Sequence, residues 1–229
     1  MRDLKDAVQR KCISLILSLH NVLGVGSDDK IFIEATDHTL YSYTEWPKSG
    51  KAANSIVVWS GNQRFRMALT AENKRMDADL SAPVESYIYN IRYDAWALMD
   101  FDGAGNTDKL INFHIERGTN NNNYAAPFCR NFVFPDGTRN CYMPALGHLL
   151  IVYRNHRQIS LCLSACNAVA LNTGSPYSDM FSSTFSGIGV SYGTDSHRRF
   201  WSLNTISGIL SESSVIANLV VRPFADYYE

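Results

Sequence analysis

Cysteines, histidines and clustered acids are the residues of this chain whose spacing could carry chemistry. There are five cysteines and six histidines in 229 residues. Cys162 and Cys166 stand four apart in an apolar helical pattern, which places both thiols on one helix face. A structural zinc site needs four ligands, and no Cys or His elsewhere has the spacing to complete one. Five is also an odd number for a disulfide framework, so buried free thiols from a reducing compartment are expected. The run Asp100-Phe101-Asp102-Gly103-Ala104-Gly105-Asn106-Thr107-Asp108 looks superficially like a calcium loop. Its oxygens fall at the wrong offsets and no Glu closes it, so it reads as a turn before a helix that Thr107 caps and Asp108 begins. His20, His38, His114, His148, His156 and His197 form no His-Glu-x-x-His pair, and neither a nucleophile elbow nor a phosphate loop is present. The expectation is a non-enzyme with no catalytic residue, metal ligand or cofactor.

Composition narrows the classes further. With 45% hydrophobic and 19% charged residues the chain is long and apolar enough for a sizeable core. A formal charge of −1 gives no electrostatic footprint for nucleic acid or an anionic membrane surface. No stretch reaches 18 apolar residues, so membrane insertion is not expected. Leu4, Val8, Cys12, Leu15, Ile16 and Leu19 recur at threes and fours, predicting an amphipathic N-terminal helix within residues 1–29. Asp3 and Asp6 sit where a secretory leader would be basic, which argues against a signal peptide. The helix stripe packs either on its own domain or on a second copy, the route to a homo-oligomer.

The rest, residues 30–229, reads as one α+β domain. Strands are expected over 30–35, 39–43, 55–60 and 64–69, the last two joined by a hairpin at Ser60-Gly61-Asn62-Gln63. Helices are expected within 84–99, around Tyr87, Ile91 and Ala95, then from Asp108, after Pro144, and over 157–168. Short strands and loops run from Met180 to the C-terminus. Within that part, residues 185–220 alternate too poorly for a strand sheet and carry no heptad, yet are too apolar for a disordered linker.

Sharply defined motifs flank this stretch. They are Tyr142-Met143-Pro144-Ala145-Leu146-Gly147, Phe181-Ser182-Ser183-Thr184, Phe200-Trp201-Ser202-Leu203-Asn204, Gly208 and Val221-Arg222-Pro223-Phe224. In this order, with two helices after the first, they resemble C-type-lectin-fold domains of the formylglycine-generating-enzyme-like branch. In particular they look like the variable proteins diversified by retroelements in gut Bacteroidales and their phages. The likeness covers roughly residues 30–224, and the order of the motifs is more specific than any one of them. It implies a C-type-lectin-like fold whose C-terminal region, about 181–224, displays hypervariable residues on a fixed scaffold for ligand binding or adhesion.

The residues such a surface would present are Ile188, Val190, Tyr192, Asp195, His197, Arg199, Ser202, Ile206, Ser207, Ile209, Ser211, Ser213, Val215 and Ile216. Small polar residues with a few large anchors suit a paratope-like surface. Phe200 and Trp201 are expected in the framework, and Arg222 in a structural role. The implied partner is a protein or cell-surface ligand, met on a phage particle or at a host surface. Calcium-dependent sugar recognition is not supported, since Glu-Pro-Asn, Gln-Pro-Asp and Trp-Asn-Asp are absent. The copper chemistry of the formylglycine-generating relatives needs a C-terminal cysteine pair, and no Cys follows Cys166. A structural virion or surface-assembly protein is the alternative function.

Overall fold

The fold comes from a computed structural model and is described for residues 29–79, 82–171, 179–190 and 196–228. The N-terminal half builds a first sheet. Strand β1 (Lys30–Ala35) pairs antiparallel with β2 (Leu40–Tyr41) and β3 (Ala53–Ser60). Strand β4 (Gln63–Met67) returns from β3 through a two-residue turn in which Gly61 takes φ 58°, the left-handed conformation such hairpins need. The last strand, β10 (Phe224–Asp226), pairs with β4 and gives the order β10-β4-β3-β1-β2. Alternation sends Ile31, Ile33, Ile56, Val58, Phe65 and Met67 to one face, where they form the first core.

A second sheet has the order β5-β9-β6-β7-β8. Its strands are β5 (Glu72–Lys74), β6 (Asp179–Val190), β7 (Ser196–Asn204), β8 (Leu210–Ser214) and β9 (Leu219–Val221). All pairs are antiparallel except β6 with β9. Among the described residues the helices are α1 (Asp94–Ala97), α2 (Gly103–Glu116), α3 (Ala125–Asn131), α4 (Leu146–Arg154) and α5 (His156–Ala165). Helix α4 packs on β6 and β7, and α5 on β1 and β3, so this pair joins the two sheets through the first core. Helices α2 and α3 cover the other face of the second sheet around Phe113, Phe128, Phe181, Phe185 and Phe200. The chain is thus α+β, as its sequence pattern implies.

Three local expectations are corrected. The described residues of 185–220 do form a strand sheet, and their weak alternation has a physical cause: the sheet is buried on both faces. On β7, Trp201 and Leu203 enter the first core while Phe200 enters the second. Residues 84–99 are not one helix but a 3-10 turn (Val84–Ser86) and the single-turn α1. Between them, the Ile91 N–H donates to Phe185 O, and Ile91 O accepts from Trp201 Nε1 at 2.8 Å, so its backbone serves the sheet instead of a helix. Helix α2 starts at Gly103, because the Asp102 carboxylate accepts the Gly105 N–H and is the cap. Thr107 instead donates to Gly103 O and accepts from Met143 N–H at 2.9 Å. The helix expected within 1–29 lies outside the described residues apart from Asp29.

Candidate binding surface

The surface depends on a scaffold, and the flanking motifs turn out to be bonded to one another. Opposite β7, strand β6 advances four residues (Phe181 to Phe185) while β7 moves two (Ser202 to Phe200), a bulge that pushes Ser182-Ser183-Thr184 out of the ladder. Each displaced residue has a task. The Ser182 hydroxyl donates to Trp201 O at 2.7 Å, mending the ladder. The Ser183 N–H donates to Pro144 O at 2.8 Å. The Thr184 hydroxyl donates to the Asp100 carboxylate at 2.7 Å and accepts the Leu146 N–H at 2.9 Å, satisfying an orphan donor of the first turn of α4. Gly147 follows because its backbone meets Asp100 O at 2.8 Å, where an added Cβ would lie 2.6 Å from that oxygen.

Two buried basic side chains, one neutral and one charged, complete the scaffold. His148 sits among the rings of Phe65, Phe101, Tyr142 and Phe224 and accepts the Ala145 N–H on Nδ1. Burial lowers its pKa from 6.5 to about 4, so it is neutral at physiological pH. Arg222 is fully buried and donates to Ala68 O, Val169 O and Ala170 O at 2.5, 2.7 and 3.2 Å, tying β9 to the ends of the first sheet and α5. Burial lowers its pKa to about 10, and it stays charged at neutral pH. Its structural role therefore works through carbonyls.

On this scaffold the chain between β7 and β8 makes a shaped turn. Asn204 Oδ1 accepts the N–H groups of Ile206 and Ser207, and Gly208 N–H closes back on Asn204 O. Gly208 takes φ 71° and lies against the Tyr153 ring, where a Cβ would come within 2.5 Å of Cζ. The turn is held from both ends while Ser207 and Ile209 face outward, Ile209 with 49% of its surface exposed. Next to it, Arg199 and Glu212 face each other across β7 and β8 at 3.8 Å, both partly exposed. Beyond them, Arg198 forms a fork-shaped ion pair with Glu85, which holds the Glu85 pKa below and the Arg198 pKa above their usual values.

The expected surface residues divide accordingly. Arg199, Ser207, Ile209, Ser211 and Ser213 reach solvent wholly or in part, and Ile206 and Ile216 are half-buried against the first and second cores. Ser202 and Val215 do not belong to the surface: both are fully buried, Ser202 bonded to Ser213 Oγ at 2.8 Å and Val215 inside the second core. That corrects the expectation, and the reason is again the double-faced sheet, which buries small polar and aliphatic positions alike. Ile188, Val190 and His197 lie in β6 and β7, near the hairpin end. Tyr192 and Asp195, between those strands, lie outside the described residues. Phe200 and Trp201 are buried framework, as expected.

Two features had no signal in the sequence. Tyr89, Tyr93, Trp96 and Met99 are large side chains left mostly exposed along the segment 89–99. At the far end of the first sheet, Glu34, His38 and Asp136 bring three potential metal-ligand atoms within 4.8 Å of one another. Arg66 Nη1 stands among them, 2.8 Å from Asp136 and 3.3 Å from Glu34, and Asn54, Ser55 and Thr138 fill the remaining acceptor positions. Burial raises the Asp136 pKa, but the Thr138 bonds and the Arg66 charge outweigh it and the net shift is downward. The cation of this cluster is a guanidinium, which makes it a structural knot. Glu34 and His38 are four apart, but Asp136 is 98 positions beyond His38, which no local pattern reveals.

Cys129, Cys141 and Cys162 are buried free thiols, and Cys166 is half-buried. Burial pushes Cys162 up to about 12 and Cys166 to about 11, so both rest as neutral thiols at physiological pH. No helix among the described residues is long and apolar enough to cross a membrane. No protein-family model, curated protein or solved structure matches this chain.

Proposed function

We propose that this chain is a ligand-binding or adhesion protein whose C-terminal region, about 181–224, displays a retroelement-diversified surface on a C-type-lectin-like fold of the formylglycine-generating-enzyme-like branch. One observation carries the reading. The flanking motifs are buried and bonded to one another, whereas Ser207 and Ile209 in the turn and the partly open Arg199 and Ser211 on β7 and β8 belong to neither core. These four side chains can change without leaving a cavity or an unsatisfied buried group. The partner is a protein or cell-surface ligand, bound by a few large anchors among small polar residues and without metal or cofactor. The alternative, a structural virion or surface-assembly protein, draws on the exposed Tyr89, Tyr93 and Trp96 instead.

The locus and the protein each provide a test. A diversified surface requires a second copy of the coding segment for 181–224, differing at adenines and accompanied by a reverse transcriptase. A locus with neither sinks the diversification claim. In solution, a library varied at Arg199, Ser207, Ile209 and Ser211 and panned against unrelated proteins should yield folded, target-specific binders. A library that yields only unfolded or indiscriminate members contradicts the display reading, and the assembly alternative then stands.

A further inference from the structure

A sheet edge is a row of main-chain donors and acceptors, and the edges of these two sheets end differently. Strand β2 has two residues and β5 three. Strand β10 is covered where Phe224 exchanges bonds of 2.9 and 2.8 Å with Tyr142. Strand β8 is the longest edge at five residues, with an unbroken register against β7. It carries none of the proline, lysine or bulge devices that keep edges from pairing.

The register fixes which of its groups are open. Asn204 N–H donates to Ile209 O at 2.9 Å at one end, and Val215 N–H donates to Arg198 O at 3.1 Å at the other. Bonded pairs alternate with unbonded ones along an antiparallel ladder. The bonded pairs between these ends are therefore Ser202 with Ser211 and Phe200 with Ser213. Leu210, Glu212 and Ser214 aim their main chains away from β7. Leu210 is buried, and Ser214 O takes the Ala217 N–H at 2.9 Å. The Glu212 N–H and C=O and the Ser214 N–H have no hydrogen-bond partner among the described residues, and Glu212 is exposed.

We infer that β8 is a strand-addition site, where an extended segment of the protein ligand pairs with the Glu212 main chain. The inference deepens the display reading and rests on it for the occupant. In this mode main-chain bonds give affinity and alternate side chains give specificity. The edge adjoins the candidate surface, since Ser207 and Ile209 lie in the turn that leads into β8 and Arg199 reaches Glu212 from β7. Changing Ile209 or Ser211 leaves the direction of these main-chain groups unaltered, so a varying surface keeps one constant means of attachment.

Charge selects the occupant. A second copy pairing antiparallel about Glu212 would set two carboxylates opposite each other, which is destabilising. A ligand strand with Lys or Arg at that position places opposite charges together. The Arg199 contact, at 3.8 Å, involves Glu212 Oε2 alone and leaves Oε1 available.

Amide exchange and peptide binding test this on the full chain. In the parent alone, the Glu212 amide should be at least roughly tenfold less protected than those of Ser211 and Ser213, which the ladder holds. Random peptides displayed on phage are then panned on the parent, and the strongest is synthesised. It should carry a Lys or Arg in a proline-free stretch and slow Glu212 exchange at saturation. Glu212→Pro removes the outward N–H without breaking a ladder bond, and should raise the peptide Kd by roughly tenfold or more. Glu212→Lys keeps the N–H but reverses the charge, and should weaken the same peptide. Unchanged protection of Val57 and Val58 in the variants shows that they are folded. If Glu212→Pro unfolds, Glu212→Lys and a peptide N-methylated at the amide that meets Glu212 carry the decision, and both must bind more weakly. Strong protection of Glu212 in the parent alone overturns the inference, because the edge is then already covered. So do a panning that enriches no peptide, a peptide indifferent to these changes, and a parent dimer that Glu212→Pro dissociates. These measurements use the parent sequence, so they can fail while the four-position library succeeds, and the reverse.

Discussion

Lowering the pH from 7.5 to 5 should cost this fold about 4 kcal/mol through two buried histidines. His148 is enclosed by four aromatic rings, and His114 is buried against Phe113 and Tyr124 with Nδ1 2.9 Å from the Thr119 hydroxyl. Burial lowers both pKa values from 6.5 to about 4. A base with a depressed folded pKa is protonated first in the unfolded chain. Its contribution is therefore complete above pH 6.5, is lost as pH falls from 6.5 toward 4, and levels off below. At pH 5 an unfolded histidine is almost fully charged and the folded one almost neutral, worth about 2 kcal/mol for each. Urea titrations at half-unit steps give the slope, in a window where most carboxylates remain ionised. His148→Gln can keep an acceptor for the Ala145 N–H but cannot titrate. It should halve the loss between pH 7.5 and 5, to about 2 kcal/mol. A flat stability profile in the parent, or a full slope in His148→Gln, would refute the assignment of these sites as neutral imidazoles.

Two substitutions probe the scaffold itself. Thr184→Val removes the hydroxyl that joins Leu146 N–H to the Asp100 carboxylate, leaving both without that partner, and should cost about 2–5 kcal/mol in chemical denaturation. Thr184→Ser should restore most of it, and equal losses in the two would point to the methyl group instead. Arg66→Gln strips the cation from buried Glu34 and Asp136, at a cost of about 3–5 kcal/mol at neutral pH. The gap to the parent should narrow in acid as Asp136, whose pKa is held down by the Thr138 bonds and the Arg66 charge, takes up its proton, and a gap that stays constant with pH would count against an electrostatic cause.

Strand β4 of the first sheet was legible because its apolar residues share one face and its charged ones the other, so Phe65 and Met67 alternate with Arg64 and Arg66 in the sequence. The second sheet hid its periodicity because Phe200 and Trp201 are neighbours serving opposite cores. Ser202 misled for the same reason, since a serine in an exposed turn and a serine bonded inside a two-sided sheet look alike in sequence. The flanking motifs were recognisable as motifs, but their physical cause was not. Leu146 and Thr184 are 38 positions apart, and only the bulge in β6 brings that hydroxyl to the start of α4. The turn at Gly208 and the exposed Ile209 were within reach of local reasoning, because a glycine among Thr, Ile and Ser marks a turn.

The central claim is that the exposed positions of β7, β8 and their turn can change without cost to the fold. The direct measurement is the urea-unfolding free energy of a single variant carrying Arg199→Thr, Ser207→Asn, Ile209→Thr and Ser211→Thr. The partly exposed Arg199–Glu212 pair contributes little, and none of the four side chains fills a core. The variant should therefore lie within about 1 kcal/mol of the parent with an unchanged denaturant slope. A loss of more than about 3 kcal/mol would show that these side chains belong to the fold, and the display reading would be contradicted.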